Sequence, residues 1–567
     1  MERSPRDPLQ GLREAVAEAV AQLGAGATAF AFERPRRAQF GDYSTNAALL
    51  AAPGLGMAPR ELAERLGAAV QERLGASVER FEVAGPGFLN LFVSDAWLLA
   101  ALGSVLAAGE RFGAGSAAPA QRVLVEFVSA NPTGPMHVGH ARNAVYGDAL
   151  ARMLALQGHA VEREFYVNDA GSQVRKLAES IRAIARAQPV PEDGYKGEYV
   201  AELAAELPGA GELELDQLAR AAVALSMGHI MGSLAAFGVE RFDRVFYESS
   251  LLEGDPSPLQ RTLALLEQHG HTYRADGALW LRSTDFGDDK DRVLVRSNGE
   301  HTYFAPDIAY HQDKRERGYQ RQIDVWGADH HGYVARMKAA YAALGGDPDE
   351  LELLIMQLVH LVSSGERAQM SKRAGEFVTL DELVAEIGAD AARWYLLARS
   401  HDTTVELDLD RARAQSSEND VYYVQYAHAR IVSILARAGE QRVRAATQAL
   451  QAPQPPDGAA GARAGGDGAQ AAAAPPPALE PAERALIEQL LAFPAELAEA
   501  GARRAPHRLL AYVLALAQTF TSFYRDCQVL GVEQQAVQAR RLAACVAAKR
   551  TIASCLSLLG VSAPEAM

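Results

Sequence analysis

The chain is 567 residues long, more than one ordinary hydrophobic core organises, and this length points to about three or four folded units. Its 49% hydrophobic content supports genuine cores. Its net charge of -15 excludes a general nucleic-acid binder, because attraction to phosphate needs clustered positive charge, so any RNA contact must be local.

The N-terminus, Met1-Glu2-Arg3-Ser4-Pro5-Arg6-Asp7-Pro8, lacks the apolar core and small-residue cleavage site of a secretory signal. The alanine-rich stretches near residues 47–52 and 221–224 fall short of the ~20 apolar residues a membrane helix requires. A cytoplasmic chain with no membrane span is expected. Helical periodicity over 10–24, closed by Gly24, returns over 58–74. Short strands at 81–83 and 88–93 then flank Gly85-Pro86-Gly87. Together they predict an α+β N-terminal unit over 1–115, bounded by the Gly, Ala, Ser and Pro-rich stretch 113–119.

Residues 122–128 form a β-branched run consistent with a buried strand, followed by a proline-punctuated turn and a helix from about 137 to 156. Further strands are predicted at 162–167 and 322–327, each beside long helical segments. Strands alternating with helices predict an α/β unit with a parallel sheet over 116–410. From 416 to 439 and from 481 onward the pattern is helical throughout, which predicts an all-α unit over 411–567. Within it, 452–477 is a low-complexity stretch with almost no large apolar side chains, read as a flexible insertion without chemistry. Cys527, Cys545 and Cys555, with no Cys-x-x-Cys spacing, argue against a structural zinc or a disulfide framework and read as buried free thiols.

The segment Asn131-Pro132-Thr133-Gly134-Pro135-Met136-His137-Val138-Gly139-His140 carries the chemistry. Pro132 and Pro135 hold the turn out of the helical state, so the helix should begin at the histidines. Free backbone N–H groups at a helix start favour phosphate, and Gly139 lets another molecule approach the backbone closely. His137 and His140 share a helix face and can both donate to charge building on the α-phosphate of ATP. Alone, the pair fits a chance helix start or a metal site equally well. A second segment, Gln369-Met370-Ser371-Lys372-Arg373-Ala374-Gly375, places a lysine and a hydroxyl in a glycine-containing loop, where a cation can neutralise the β- and γ-phosphates as pyrophosphate departs. By itself it reads as well as a solvated surface loop. Both in this order specify adenylate chemistry.

On these segments the sequence resembles the class I aminoacyl-tRNA synthetases, and more narrowly the bacterial type of the arginyl-tRNA synthetase family. The resemblance covers nearly the whole chain. It extends through Gly41-Asp42-Tyr43-Ser44-Thr45-Asn46, Ala84-Gly85-Pro86-Gly87-Phe88-Leu89-Asn90, Tyr166-Val167-Asn168-Asp169-Ala170-Gly171, Gly327-Ala328-Asp329-His330-His331-Gly332-Tyr333 and Tyr423-Val424-Gln425-Tyr426-Ala427-His428-Ala429-Arg430. It implies a Rossmann-like parallel-sheet catalytic domain with insertions, an N-terminal additional domain meeting the tRNA D-loop and elbow, and a C-terminal all-α anticodon-binding bundle. The implied reaction activates L-arginine with ATP, in the presence of tRNA, and transfers the arginyl group to tRNA(Arg). Mg2+ is expected with ATP, no structural metal is expected, and a monomer is expected.

The resemblance assigns ATP contacts to His137, Gly139, His140, Met370, Ser371 and Lys372, with His137, His140 and Lys372 catalytic. The first lysine of the general class pattern is replaced here by Gln369. A guanidinium with five donors calls for carboxylates and neutral acceptors at fixed angles. Tyr303 and Asp307, four apart, share a face if helical, and Glu126 ends the strand before the turn. The resemblance gives arginine contacts to Glu126, Asn131, Tyr303 and Asp307, with Asp329 or His330 near the α-amino group. Asp329-His330-His331 lacks the third spaced ligand a metal would need. For tRNA, Phe40, Tyr43 and Asn46 lie in a polar-aromatic loop suited to an unstacked base, while Tyr422, Tyr423 and Tyr426 crowd one helix and Tyr524 sits in another. The resemblance also brings the terminal Met567 near the anticodon loop. The rival readings are a synthetase for another amino acid, a non-catalytic tRNA-binding relative and a small-molecule ligase. The first would want zinc if specific for cysteine, the second would be expected to lose the histidines or Lys372, and the third leaves the helical C-terminal third unexplained.

Overall fold

The β-branched run that opens the α/β unit becomes the middle strand of the molecule. The computed structural model describes residues 7–26, 29–35, 37–239, 241–367, 378–451 and 477–567. Numbered in chain order within the central sheet, the strands are β1 (Arg122–Glu126), β2 (Ala160–Val167), β3 (Arg244–Tyr247), β4 (Arg321–Gly327) and β5 (Leu351–Met356). They lie in the order β5-β4-β1-β2-β3, every neighbouring pair parallel. Helix Val138–Gln157 connects β1 to β2, and almost its whole surface is buried. Chain order reverses between β1 and β4. In open parallel sheets the crevice at such a switch point, beyond the carboxyl ends of the strands, is where ligands bind.

Two short sheets flank this one. Thr272–Ala275, Ala278–Leu281 and Arg292–Val295 form an antiparallel insertion sheet ahead of helix Phe304–Glu316. Val359–Ser363 pairs in parallel with Val405–Asp408 and antiparallel with Glu366–Arg367. The N-terminal unit is a four-stranded antiparallel sheet in the spatial order Phe32–Glu33, Tyr43–Thr45, Phe88–Val93, Val78–Ala84. Helices Pro8–Gln22, Ala47–Leu55 and Pro59–Leu74 share a core with it through Val16, Val20, Leu62, Leu66, Leu89 and Leu91. Pro53 lies inside the second of these helices, which the sequence reading did not identify.

The C-terminal unit is helical: Asp420–Ala438, Glu440–Gln451, Pro481–Leu491, Phe493–Ala502, His507–Asp526 and Gln535–Leu559. The low-complexity segment read over 452–477 lies outside the described residues except for Pro477. All three cysteines are buried free thiols, and burial pushes Cys545 up to about 12. Helices Leu215–Ala236 and Gln535–Leu559 are longer than the apolar runs read from the sequence and meet the length and composition of a membrane span, as buried core helices also do. Helix formation joins shorter alanine-rich runs into long apolar cylinders, and the second of these is mostly buried inside the protein.

Candidate active site

The cleft of about 710 Å³ at the β1/β4 switch point is lined by the turn after β1 (Val128–Asn131), the helix start His137–His140, the exit of β4 (Gly327–His330) and the exit of β5 (Met356–Leu361). Arg367 and Val378 line it as well, and they are the described residues on either side of 368–377. Met370, Ser371, Lys372 and Gln369 therefore fall outside the described residues. The chain that leaves this stretch is pinned to the histidines. Thr379 pairs with His137, the Val138 N–H donates to the Val378 carbonyl at 3.2 Å, and the Leu380 N–H to the Met136 carbonyl at 2.8 Å.

The helix begins where the prolines predict. His137 is its N-cap in extended conformation, and its Nδ1 accepts from the Gly139 N–H at 3.0 Å. His140 reaches back, its Nδ1 accepting from the His137 N–H at 3.3 Å. The pair thus forms a reciprocal capping box built from two imidazoles, with ring centroids 3.8 Å apart and stacked. Burial lowers the pKa of His137, and burial followed by the neighbouring His137 lowers His140 to about 4, so both are neutral at pH 7. A neutral imidazole that accepts at Nδ1 carries its proton on Nε2. Each ring therefore presents an Nε2–H donor without bringing a charge.

Behind the turn, Glu126 is buried at the carboxyl end of β1. Its Oε1 accepts from the Ser129 hydroxyl at 2.8 Å, and Ser129 lines the cleft. Asp307 takes a 2.5 Å bond from the Tyr333 hydroxyl, and burial raises its pKa, opposed by that bond and by nearby cationic groups. Asn131 lies in the cleft, its amide donating to Gln173 at 3.4 Å. Asp329 and His330 face each other there at 3.1 Å, in the short helix Ala328–Tyr333 that follows β4. The fold thus gathers Asn131, His137, Gly139, His140, Asp329 and His330 around one cavity, with Glu126 joined to it through Ser129. Tyr303 and Asp307 do not line the cleft: Tyr303 caps helix Phe304–Glu316 and is 73% exposed, and Asp307 sits one turn in, bonded to Tyr333.

Sequence reasoning missed Lys314, Asp324 and His311, a buried polar set under Glu126. Two signals were available: a carboxylate inside the apolar strand at Ile323-Asp324-Val325, and Asp307, His311 and Lys314 spaced along one helix face. Among the described residues, no cluster of three or more His, Cys, Asp or Glu side chains is arranged to hold a metal ion.

The RNA expectations divide. Tyr43 is corrected: it is 3% exposed in the N-terminal sheet, stacked on Phe32 at 5.4 Å and edge-on to Trp97, so its ring serves the core and offers no face to a base. Phe40 is 39% exposed, and Asn46 uses its side-chain oxygen to accept the Ala31 N–H at 2.8 Å. Tyr423 bonds Thr521 at 2.9 Å across two helices, a packing role. Tyr426 is 43% exposed, stacked with Tyr422 at 6.3 Å, and Arg430 lies over both Tyr426 and Tyr524. Gln425 and His428 from the same helix grip the C-terminal tail at Ser562 and Pro564, leaving Met567 52% exposed beyond them.

Three family models match in chain order: the arginyl tRNA synthetase N terminal domain over 10–93, the catalytic domain of class I (R) tRNA synthetases over 101–190 and 244–431, and the DALR anticodon binding domain over 424–567. The arginine–tRNA ligase of Geobacillus thermodenitrificans is 42% identical over 577 residues, covering 98% of each chain. That of Shouchella clausii is 41% identical over 581 residues, covering 100% of each. Among solved structures, Thermus thermophilus arginyl-tRNA synthetase superposes with a TM-score of 0.74 at 26% identity, covering 98% of this chain and 100% of that one.

Proposed function

The chain belongs to the class I arginyl-tRNA synthetase family, and on that premise we propose how its cleft makes arginyl-adenylate from L-arginine and ATP and passes the arginyl group to tRNA(Arg). The observation that carries the reading is the pair of stacked histidines at the helix start, each accepting a backbone N–H at Nδ1 and facing the exit of β4 across the switch point.

ATP lies along the cleft with its α-phosphate at His137 and His140 and its chain running past Gly139. The arginine carboxylate attacks the α-phosphorus, pyrophosphate leaves, and the two Nε2–H groups stabilise the charge that grows on the α-phosphate oxygens. Neutral donors suit this task, because they strengthen with the developing charge without first binding the ground state as a cation would. Lys372 and Ser371, with Met370, attend the departing phosphates; Arg367 and Val378, which line the cleft on either side of that stretch, support this reading. Mg2+ carried on the phosphates of ATP would supply charge neutralisation there, and Asp329, the carboxylate among the described cleft residues, would be the side chain placed to hold it. Glu126 and Asp307 receive the guanidinium, Asn131 orients the substrate, and Asp329 with His330 holds the α-amino group. In the second step the terminal ribose hydroxyl of tRNA attacks the arginyl carbonyl and AMP leaves.

The units proposed are 1–115, with Phe40 and Asn46 toward the tRNA elbow, 116–410 for catalysis, and 411–567 for the anticodon, read through Tyr426, Tyr524 and Met567. The protein works as a monomer in the cytoplasm. The test of the active-site reading is His140→Asn, which is expected to lower kcat about 100- to 1000-fold, as removal of a preorganised donor does elsewhere. Its Kd for tRNA should stay unchanged. Wild-type kcat in that variant overturns the assignment.

A further inference from the structure

Two buried carboxylates stand side by side under the cleft. Glu126 on β1 and Asp324 on β4 are direct register partners on neighbouring parallel strands, both essentially removed from water. Two like charges so placed repel, and one of them would ordinarily be protonated. Lys314, the last buried residue of helix Phe304–Glu316, enters between them with its side chain fully buried. Its Nζ lies 2.5 Å from Glu126 Oε2 and 2.8 Å from Asp324 Oδ1, and 4.2 Å from the centre of the Tyr310 ring. The remaining oxygens are also taken. Asp324 Oδ2 meets His311 Nε2 at 2.9 Å, and Glu126 Oε1 takes the Ser129 hydroxyl, which accepts the Tyr166 N–H at 3.2 Å.

We propose that Lys314 is a positioning residue for arginine specificity: its ammonium offsets Asp324 so that Glu126 stays charged and correctly aimed for the substrate guanidinium. This rests on the reading that Glu126 receives that guanidinium. Glu126 shares the single Lys314 charge with Asp324, which also holds His311, so Glu126 keeps negative charge to offer a second cation, and a planar, always-charged guanidinium suits it. A neutral side chain such as citrulline's leaves the extra charge unpaired. The groups that face Glu126 are Lys314 and Tyr310 from the helix, Asp324 from β4 and Tyr166 from β2. Burial raises the pKa of Glu126, with Lys314 opposing, whereas for Asp324 Lys314 and His311 outweigh burial and hold it low. Glu126 is the member of the pair whose charge depends on further help.

The test compares Lys314→Met, Glu126→Gln and Lys314→Met/Asp324→Asn in the full-length protein with tRNA present. KM for arginine, KM for ATP and kcat are measured from about pH 6 to 9. Lys314→Met is expected to raise the arginine KM about 100-fold, the order of a lost buried charge interaction, with the ATP KM within about twofold. That arginine KM should then fall steeply as pH rises and Glu126 regains its charge. The double variant removes the repelling charge with the cation and should bring the arginine KM back to within about fivefold of wild type. A raised arginine KM in Glu126→Gln combined with a wild-type, pH-independent one in Lys314→Met overturns the lysine's role while keeping the Glu126 reading. A wild-type arginine KM in Glu126→Gln overturns the Glu126 reading itself. If Lys314→Met does not fold, the double variant decides: recovery supports the proposal, and an arginine KM as high as that of Glu126→Gln refutes it.

Discussion

Histidine at a helix N-cap normally competes poorly with Ser, Thr, Asp or Asn, whose short oxygens reach the first free N–H groups. His137 and His140 manage it together because each uses Nδ1 as an acceptor, which only the neutral ring allows. The capping that fixes their position also favours the neutral ring with its proton on Nε2. A pH effect follows at these residues. In an unfolded chain the imidazole of His140 titrates near 6.5, whereas burial and then His137 lower it to about 4 in the fold. Between those values the unfolded chain takes up a proton that the fold refuses, so acidification through that window destabilises the protein, and above it the contribution is constant. His140→Asn should therefore flatten part of the loss of Tm seen from about pH 6.5 down to 5, measured by thermal unfolding at constant ionic strength. An unchanged slope would mean that the ring is not buried as described.

Between β1 and the helix the chain makes a tight turn in which Val128 and Ser129 both take left-handed backbone conformations, with φ of 70° and 44°. Such conformations cost on the order of 1 kcal/mol each for residues with a Cβ. The turn is held by the Ser129 N–H to the Phe127 carbonyl at 3.0 Å and by the Ser129 hydroxyl between Glu126 and the Tyr166 backbone. The strained turn leads the chain from the Glu126 carboxylate out of the sheet toward the helix start at His137, eleven positions on. Ser129→Ala removes both hydroxyl bonds and should cost about 1 to 2 kcal/mol in urea unfolding. It should also raise the arginine KM about tenfold while leaving that for ATP nearly unchanged. Equal changes in both would show that the turn supports the cleft as a whole and not the arginine side of it. The element was only partly legible beforehand. The β-branched run marked a strand through Val128, but the strand stops at Glu126, because the left-handed pair turns the chain out of the sheet.

Across the whole molecule, charged residues far apart in sequence join the units. Arg393 is completely buried, donating to Asp148 at 2.5 Å on the first helix of the catalytic sheet and to the Leu559 carbonyl at the end of the C-terminal bundle. Asp148→Ala leaves that guanidinium without its carboxylate and should cost about 3 to 5 kcal/mol. Arg484 in the helical unit reaches Asp42 at 3.0 Å and Asp95 at 2.5 Å in the N-terminal unit, and Arg34 returns a contact to Glu488. Burial pushes Glu488 up to about 7, so its contribution to stability is greatest at low pH and is lost as pH rises through that value. Arg484→Ala should lower stability by about 1 to 2 kcal/mol, whereas Glu488→Gln should be close to neutral at pH 7. Thermal unfolding of the two variants checks the contrast, and equal losses would refute it.

The sequence by itself determined the local features: the helix that starts at the histidines, the parallel strands, the all-helical C-terminal third and the family. Each of these depends on short-range periodicity, on proline and glycine, or on residue order, all of which read along the chain. Only the tertiary structure decided which side chains meet. Tyr43 looked like a stacking surface in its loop-like segment and instead lies in the core, because its strand places it against Phe32 and Trp97. Tyr303 and Asp307 share a helix, yet one is exposed and the other bonded to Tyr333, since a helix face meets different neighbours at its cap and one turn in. Lys314 and Glu126 stand 188 positions apart and touch at 2.5 Å. Such contacts follow from sheet register and helix packing, where burial makes an unpaired charge costly, and neither is written into local spacing.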